Sequence, residues 1–214
     1  MKLDYAKLGT LELDALKEVA NIGAAHAATA LSGIVNKTIM IGVSRVCVVP
    51  VEQIKQIIGD RPQRGLTVHL KVLGDLSGGL MLLLPLDNAA GLAAILNGHR
   101  SDQASKDLSP ADLLALKQAG SILGASYLRA IGEFTKLSFI PSIPEVGCGQ
   151  IQEILQKVLS ELAKRADIAF GIETEFIESS RRIEGQFLMF CEEKGLVALL
   201  QGLGLLSATK MNGR

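Results

Sequence analysis

The sequence predicts an α+β fold, a single pseudo-two-fold symmetric domain built from an internal repeat, with long helices set on an antiparallel sheet. Three observations lead there. The segment Leu13-Asp14-Ala15-Leu16-Lys17-Glu18-Val19-Ala20-Asn21-Ile22 recurs as Leu113-Leu114-Ala115-Leu116-Lys117-Gln118-Ala119-Gly120-Ser121-Ile122, with Leu, Ala, Leu, Lys and Ile kept at an offset of one hundred. The element order recurs too: a long helix, an extended segment, a short helix, two strands and a last helix. Finally, neither half alone has enough strands to bury, so the halves are expected to share one core. Repeat one spans about 10–98 and repeat two about 109–204, within one domain over 1–214.

In the first half, Leu13, Leu16, Ala20, Ala24, Ala27 and Leu31 recur at helical spacing and predict a helix over about Leu11 to Leu31. Thr10 is its expected cap, and Glu12 and Asp14 suit the positive end of the helix dipole. Lys37 to Val49 is rich in Ile and Val and reads as extended chain. Pro50 to Ile58 reads as a short helix. Leu66 to Leu73 and Leu80 to Leu84 read as strands, joined by a turn over Gly74-Asp75-Leu76-Ser77-Gly78-Gly79. Asp87 is the expected cap of a helix through Leu96 that stops at Asn97-Gly98.

The polar stretch His99 to Asp107 is the expected link between halves. Ser109-Pro110-Ala111-Asp112 then opens the second long helix: a serine cap, a proline at the first helical position and an acid three residues after the cap. Phe134 to Val146 reads as extended, and Pro141 and Pro144 indicate an edge or a kink. Ile151 to Lys164 is an amphipathic helix by its Ile, Leu and Val spacing. Ile168 to Ile177 and Gln186 to Cys191 read as strands around a Ser179-Ser180-Arg181-Arg182 turn. Gly195 to Leu203 is the last helix, and the tail Lys210 to Arg214 is expected to fray.

Composition narrows the function classes. Twenty-two basic residues balance 22 acidic ones, so an electrostatic grip on nucleic acid or anionic lipid is not favoured. No apolar run approaches the roughly 20 residues of a membrane span, and the N-terminus lacks the pattern of a signal peptide; a cytoplasmic protein is expected. Cys47, Cys148 and Cys191 lie far apart without a CxxC pair, and His26, His69 and His99 stand alone, so no metal or disulfide framework is suggested. Gly202-Leu203-Gly204-Leu205 lacks the spacing and following helix of a phosphate-cradling loop, and Gly78-Gly79 reads as part of a turn. A nucleotide or metabolite enzyme is therefore disfavoured.

On the first long helix, Asp14, Glu18 and Asn21 are spaced four and three apart and share one narrow arc, which Ala25 and Ala28 continue. The leucine stripe lies on a different arc, so these polar groups are expected to point outward beside small residues that allow another protein to approach. Such faces are routine on helices, and a solvated face is the ordinary reading of the spacing alone. Asn mid-helix costs a few tenths of a kcal/mol relative to Ala.

The run from Glu18 to Ser32, Glu18-Val19-Ala20-Asn21-Ile22-Gly23-Ala24-Ala25-His26-Ala27-Ala28-Thr29-Ala30-Leu31-Ser32, resembles the signature helix of the CheC family of chemotaxis phosphatases, whose motif reads [D/S]-x3-E-x2-N-x22-P. Asp14, Glu18 and Asn21 fit it; Ser44 stands at the proline position. The Val48-Val49-Pro50-Val51-Glu52 run is similar to the family's turn after its strand, and the resemblance extends over nearly the whole chain. In the second repeat the equivalent positions hold Leu114, Gln118 and Ser121, and Pro144 keeps the pattern. The resemblance implies one working site, in repeat one, and a degenerate site at Gln118 and Ser121.

What the resemblance implies chemically is hydrolysis of the aspartyl-phosphate of a CheY-like response regulator, with Glu18 and Asn21 as the catalytic pair and Asp14 and Glu18 at the partner contact. Asn21 would position an in-line water, Glu18 would pair with a lysine of the regulator, and Mg²⁺ would sit in the regulator, with no cofactor in this chain. An acyl phosphate is reactive enough that positioning and charge shielding suffice. The family also implies an alternative: a non-catalytic adaptor that binds CheD or a CheY-like regulator in chemotaxis or the flagellar switch, which the loss of the second pair and Ser44 favour.

Overall fold

The computed structural model describes residues 8–59, 64–98, 107–162, 167–178 and 181–205. In chain order its elements are α1 (Thr10–Val35), β1 (Ile39–Pro50), a 3-10 turn (Val51–Gln53), α2 (Lys55–Ile58), β2 (Arg64–Gly74), β3 (Gly78–Pro85) and α3 (Leu86–Leu96). There follow α4 (Pro110–Thr135), β4 (Phe139–Pro141), β5 (Glu145–Gln150), α5 (Ile151–Leu162), β6 (Ile168–Glu178), β7 (Arg181–Cys191) and α6 (Glu193–Gly202).

One antiparallel sheet runs β1-β6-β7-β3-β2-β4, with β5 also paired to β2. The order is the signature of the repeat. The last hairpin strands of the two halves, β3 and β7, meet in the middle, Gly78 opposite Cys191 through Leu83 opposite Gln186. Each half's first strand crosses to the other half: β1 lies on β6, and β4 with β5 lies on β2. Neither half could close its sheet without the other.

The sheet is covered on both faces. Leu80, Leu82, Leu84, Phe187 and Met189 point toward α1, α3, α4 and α6, while Met81, Leu83, Leu188 and Phe190 point toward the 3-10 turn, α2 and α5. Burial on both sides explains the continuous apolar run of β3, where alternation would mark a one-sided strand. Each fully buried leucine in it contributes about 1.5–3 kcal/mol.

The symmetry extends to detail. Residues 8–27 and 108–127 have the same succession of exposed, half-buried and buried positions. Both long helices end on a left-handed residue, Asn36 at φ 51° and Lys136 at φ 61°, again one hundred apart. The N-termini differ. Ser109 accepts from the Asp112 amide and the Asp112 carboxylate accepts from the Ser109 amide, the box read from the sequence. Thr10, by contrast, is the first helical residue, and Gly9 precedes it as a cap without side-chain bonds. Asp87 likewise lies inside the first turn of α3, and Pro85 holds the cap position.

Three further expectations are corrected. Phe134 and Thr135 finish α4 instead of starting a strand, and the extended chain after them is split into β4 and β5 with Pro144 in the gap. A proline has no N–H for the ladder, so pairing stops and restarts there. Arg181 and Arg182 belong to β7, paired with Glu178 and Ile177, so the hairpin is tighter than the four-residue turn expected. Gly78 and Gly79 open β3; a Cβ on Gly78 would collide with the Phe190 carbonyl oxygen, which is why the close β3–β7 contact needs glycine. Most of the interrepeat link and the C-terminal tail lie outside the described residues.

At the centre of the helical layer Tyr127 stacks on Phe187, ring centroids 4.6 Å apart. Its hydroxyl lies near Thr174 without a hydrogen bond of good geometry, so burial dominates and pushes its pKa up to about 12 from 10.0. Burial, then Asp167 and Glu192, likewise push the Cys191 thiol to about 12 from 9.0. Between those values the unfolded chain has released protons that the folded chain retains, so stability falls as pH rises from 9 toward 12. Equilibrium unfolding across that window is expected to show this slope, reduced by Tyr127→Phe above pH 10 and by Cys191→Ala from pH 9. Unchanged slopes in both variants would contradict the burial account.

Candidate active site on the first long helix

α1 buries Leu16, Val19, Ala20, Gly23, Ala24, Ala27 and Leu31. Most of these are small, which lets α1 lie close on α4: a Cβ on Gly23 would stand 2.8 Å from Tyr127 Cδ1 and 3.0 Å from its Cα. The stripe differs from the sequence expectation in that Val19 and Gly23 join it and Leu13 is only half-buried.

With that face inward, the opposite arc turns out. Asp14 and Glu18 are exposed, Asn21 is half-buried, Ala25 is exposed and Ala28 half-buried. At about 100° per residue these five positions fall within about 80° of arc. Glu18 and Asn21 therefore share one solvent-facing surface, one turn apart, followed by methyl groups alone. Among the described residues neither side chain makes a hydrogen bond or ion pair, nor does Asp14. The carboxylate and the carboxamide are thus unengaged among the described residues.

The neighbouring Lys17 is held differently. It is half-buried, and its Nζ donates to the Ser44 carbonyl at 3.0 Å. Ser44 is the extra residue of a β-bulge: Val43 pairs with Thr174 and Arg45 with Glu173, leaving Ser44 between them. Its hydroxyl lies 3.3 Å from Glu173 Oε2. The motif's proline position thus falls where the ladder needs no N–H, and in the second repeat Pro144 occupies the corresponding break. A proline and a serine meet the same backbone requirement there.

On α4, Gln118 is exposed and Ser121 half-buried, matching Glu18 and Asn21 in position. The surface is the same in placement and different in chemistry: Leu114, 57% exposed, replaces Asp14, and no carboxylate stands in the row. Elsewhere a cavity of about 420 Å³ opens beside Ser44, lined by Glu173, Glu175 and Glu184 among others. Three carboxylates make it unsuited to a phosphate ligand. Among the described residues no group of three or more His, Cys, Asp or Glu is placed to hold a metal ion, and no helix is long and apolar enough to cross a membrane.

A family model described as the CheC-like family matches residues 11–43, which is α1 and the first part of β1. The chain is also 29% identical over 181 residues to the CheY-P phosphatase CheC of Bacillus subtilis (strain 168), covering 84% of this chain and 86% of that protein. The chain is thus similar to CheC-like proteins, most clearly over α1 and the start of β1. In structure, the chain is similar to FliY of Thermotoga maritima, with a TM-score of 0.76 at 19% identity over 92% of this chain and 98% of that one. The middle domain of FliM from H. pylori superposes with a TM-score of 0.63 at 12% identity, covering 91% and 99%. At these identities the two structures establish a shared fold and no more.

The segment matched by the family model contains Asp14, Glu18 and Asn21 and ends one residue before the bulge at Ser44. Two residues near the site escaped the sequence reading of function. Lys17 was visible as a repeated position, since Lys117 matches it, but its carbonyl partner depends on the bulge. Ser32 accepts from the Ile39 amide at 2.9 Å and donates to the Ile39 carbonyl at 3.1 Å, a contact that needs the turn after α1.

Proposed function

We propose that this CheC-like chain accelerates hydrolysis of the aspartyl-phosphate of a CheY-like response regulator, using the α1 surface of repeat one. The observation that carries this reading is the pair of side chains without partners among the described residues, exposed Glu18 and half-buried Asn21, one turn apart on an outward arc between Asp14 and the alanines Ala25 and Ala28. The name of the Bacillus relative supports the choice of reaction.

The chemistry fits the residue types. Water attacks phosphorus in line, the P–O bond to the aspartyl carboxylate breaks, and orthophosphate and a free carboxylate leave. The water's proton passes to a phosphate oxygen or to solvent, because a carboxamide is no base. Asn21 accepts a hydrogen bond from the water through its carbonyl oxygen and donates to a phosphoryl oxygen through its NH2, fixing the attack line. Glu18 repels the phosphoryl group and so faces a cation of the regulator, a lysine beside the phosphorylated pocket. Asp14, one turn earlier, lies at the edge of the contact. Mg²⁺ belongs to the regulator's acidic pocket and shields charge there. Gln118 puts a carboxamide where the acid stands and Ser121 a hydroxyl where the carboxamide stands, so in this reading the pair makes no second centre. CheD is a further partner in this reading, and the cytoplasm is where such regulators act.

The test is phosphate release from a phosphorylated CheY-like regulator, timed with and without this chain. Acceleration is expected for the wild type. Glu18→Ala is expected to weaken regulator affinity by about 1–3 kcal/mol, the range for losing a charge-assisted contact, while a saturating concentration recovers most of the rate. Wild-type affinity in a titration of that variant would count against the docking role. Binding of the regulator without acceleration by the wild type would leave the adaptor as the function, consistent with the neutral surface of α4.

A further inference from the structure

Resting on that reading, we infer that Lys17 and Ser32 are positioning residues that lock α1 to β1 at the rotation which presents Glu18 and Asn21. Asn21 lies on α1 between the two ties. On one side Lys17 Nζ holds the Ser44 carbonyl at 3.0 Å, which the bulge has displaced from the regular ladder. On the other, the Ser32 hydroxyl both accepts from and donates to the Ile39 backbone. Ser44 is itself fixed to β6 through its hydroxyl and Glu173, which also pairs with Arg45 at 3.7 Å.

The second repeat supplies the internal comparison. Lys117 has the same half-buried setting as Lys17 but makes no hydrogen bond to the described residues, because the strand beside it is interrupted between Pro141 and Glu145. Position 132 is glycine and cannot form the Ser32 tie; a Cβ there would meet the Leu137 carbonyl oxygen at 2.9 Å. Both ties are therefore found in the repeat that carries Glu and Asn, and both are missing from the repeat that does not. A physical need for them follows from the packing. The face that α1 buries is mostly Ala and Gly, and small side chains interlock weakly, so they resist rotation about the helix axis less than large ones. Geometry-dependent catalysis suffers steeply from small misplacement. The tie also keeps the Lys17 cation on the β1 side, away from the phosphoryl group's place and from Asp14 three residues before it.

The experiment compares Lys17→Met, Lys17→Arg and Ser32→Ala in the full chain. Phosphate release is measured against regulator concentration, and backbone amide exchange is measured over α1 and α4. For Lys17→Met the maximal rate is expected to fall about tenfold or more with regulator affinity changed less than threefold, and Lys17→Arg, whose guanidinium still donates to the carbonyl, is expected to restore most of the rate. Exchange of α1 amides is expected to quicken in Lys17→Met and Ser32→Ala while α4 is unchanged. A merely structural role would lower thermal stability without separating maximal rate from affinity, and that result overturns the inference. Unchanged α1 exchange in both variants overturns it as well, whatever the activity. If the wild type itself fails to accelerate release, the phosphatase reading fails, and the exchange measurement still decides whether the ties hold the helix.

Discussion

Asn21→Ala is expected to abolish stimulated phosphate release, by about a hundredfold or more, while slightly raising the stability of the fold. The two halves of this prediction have opposite signs and so are separable. In the proposed reaction Asn21 aligns water and phosphoryl oxygen, so its loss removes an effect realised in the transition state, for which misplacement alone costs about 10²-fold. In the free protein the Asn21 carboxamide makes no hydrogen bond within the described chain, so truncation leaves no partner unsatisfied. Alanine is the better helix former by a few tenths of a kcal/mol. The measurement pairs a phosphate-release time course at saturating phosphorylated regulator with a denaturant titration of the free variant. A rate equal to wild type would remove Asn21 from the reaction. A rate lost together with a large drop in stability would show that Asn21 acts through the fold.

The placement of Asn21 explains why a poor helix former is tolerated there. It stands half-buried at the edge of the outward arc, outside the buried stripe of Ala20, Ala24 and Ala27, and between two ties that hold α1 to β1. The small stability cost falls where the surrounding contacts absorb it. On α4 the corresponding Ser121 has the same burial without the amide, so the fold itself does not require an asparagine at this depth. The architecture therefore leaves the residue unexplained, and the proposed role in phosphate release supplies a reason for it.

Much of this was legible in the sequence, for identifiable reasons. The offset of one hundred exposed the symmetry because Leu13, Ala15, Leu16, Lys17 and Ile22 recur unchanged at 113, 115, 116, 117 and 122. The capping box at Ser109 is local chemistry and was read directly. The exposure of Glu18 and Asn21 followed from helical geometry once the buried stripe was known. What failed was the chemistry that depends on distant partners. The Thr10 and Asp87 caps were assigned from residue type, and Gly9 and Pro85 took those positions through the chain's path. The swap of β1 onto β6 and of β5 onto β2 cannot be read from strand propensity, since any of these strands suits any neighbour. The bulge at Ser44 was hidden for the same reason, and with it the partner of Lys17.

Tyr127→Ala is expected to be among the most damaging single substitutions to stability, at about 3–5 kcal/mol, the range for truncating a large buried aromatic. For a chain of this size that corresponds to a fall in melting temperature of about 6–20 °C. The ring is 2% exposed, stacks on Phe187 of β7 and lies beneath Gly23 of α1, so one side chain joins both repeats and the sheet. The space it leaves would adjoin the small apolar gap among Leu16, Val19, Ile131, Phe170 and Leu199, enlarging a void the surrounding rigid backbone cannot close. Tyr127→Phe keeps the ring and removes a hydroxyl that lacks a well-formed hydrogen bond, so near pH 7 it is expected to cost under about 1 kcal/mol. Thermal unfolding of the two variants side by side is the check. A small loss for Tyr127→Ala would mean α1 is seated by other contacts. A large loss for Tyr127→Phe would mean the hydroxyl's contact with Thr174 carries energy that its geometry does not suggest. The functional consequence follows from the same packing: a helix that loses its seat on Tyr127 loses the rotation that turns Glu18 and Asn21 outward together, so the residual folded fraction of Tyr127→Ala is expected to be slower per molecule than wild type, not merely scarcer.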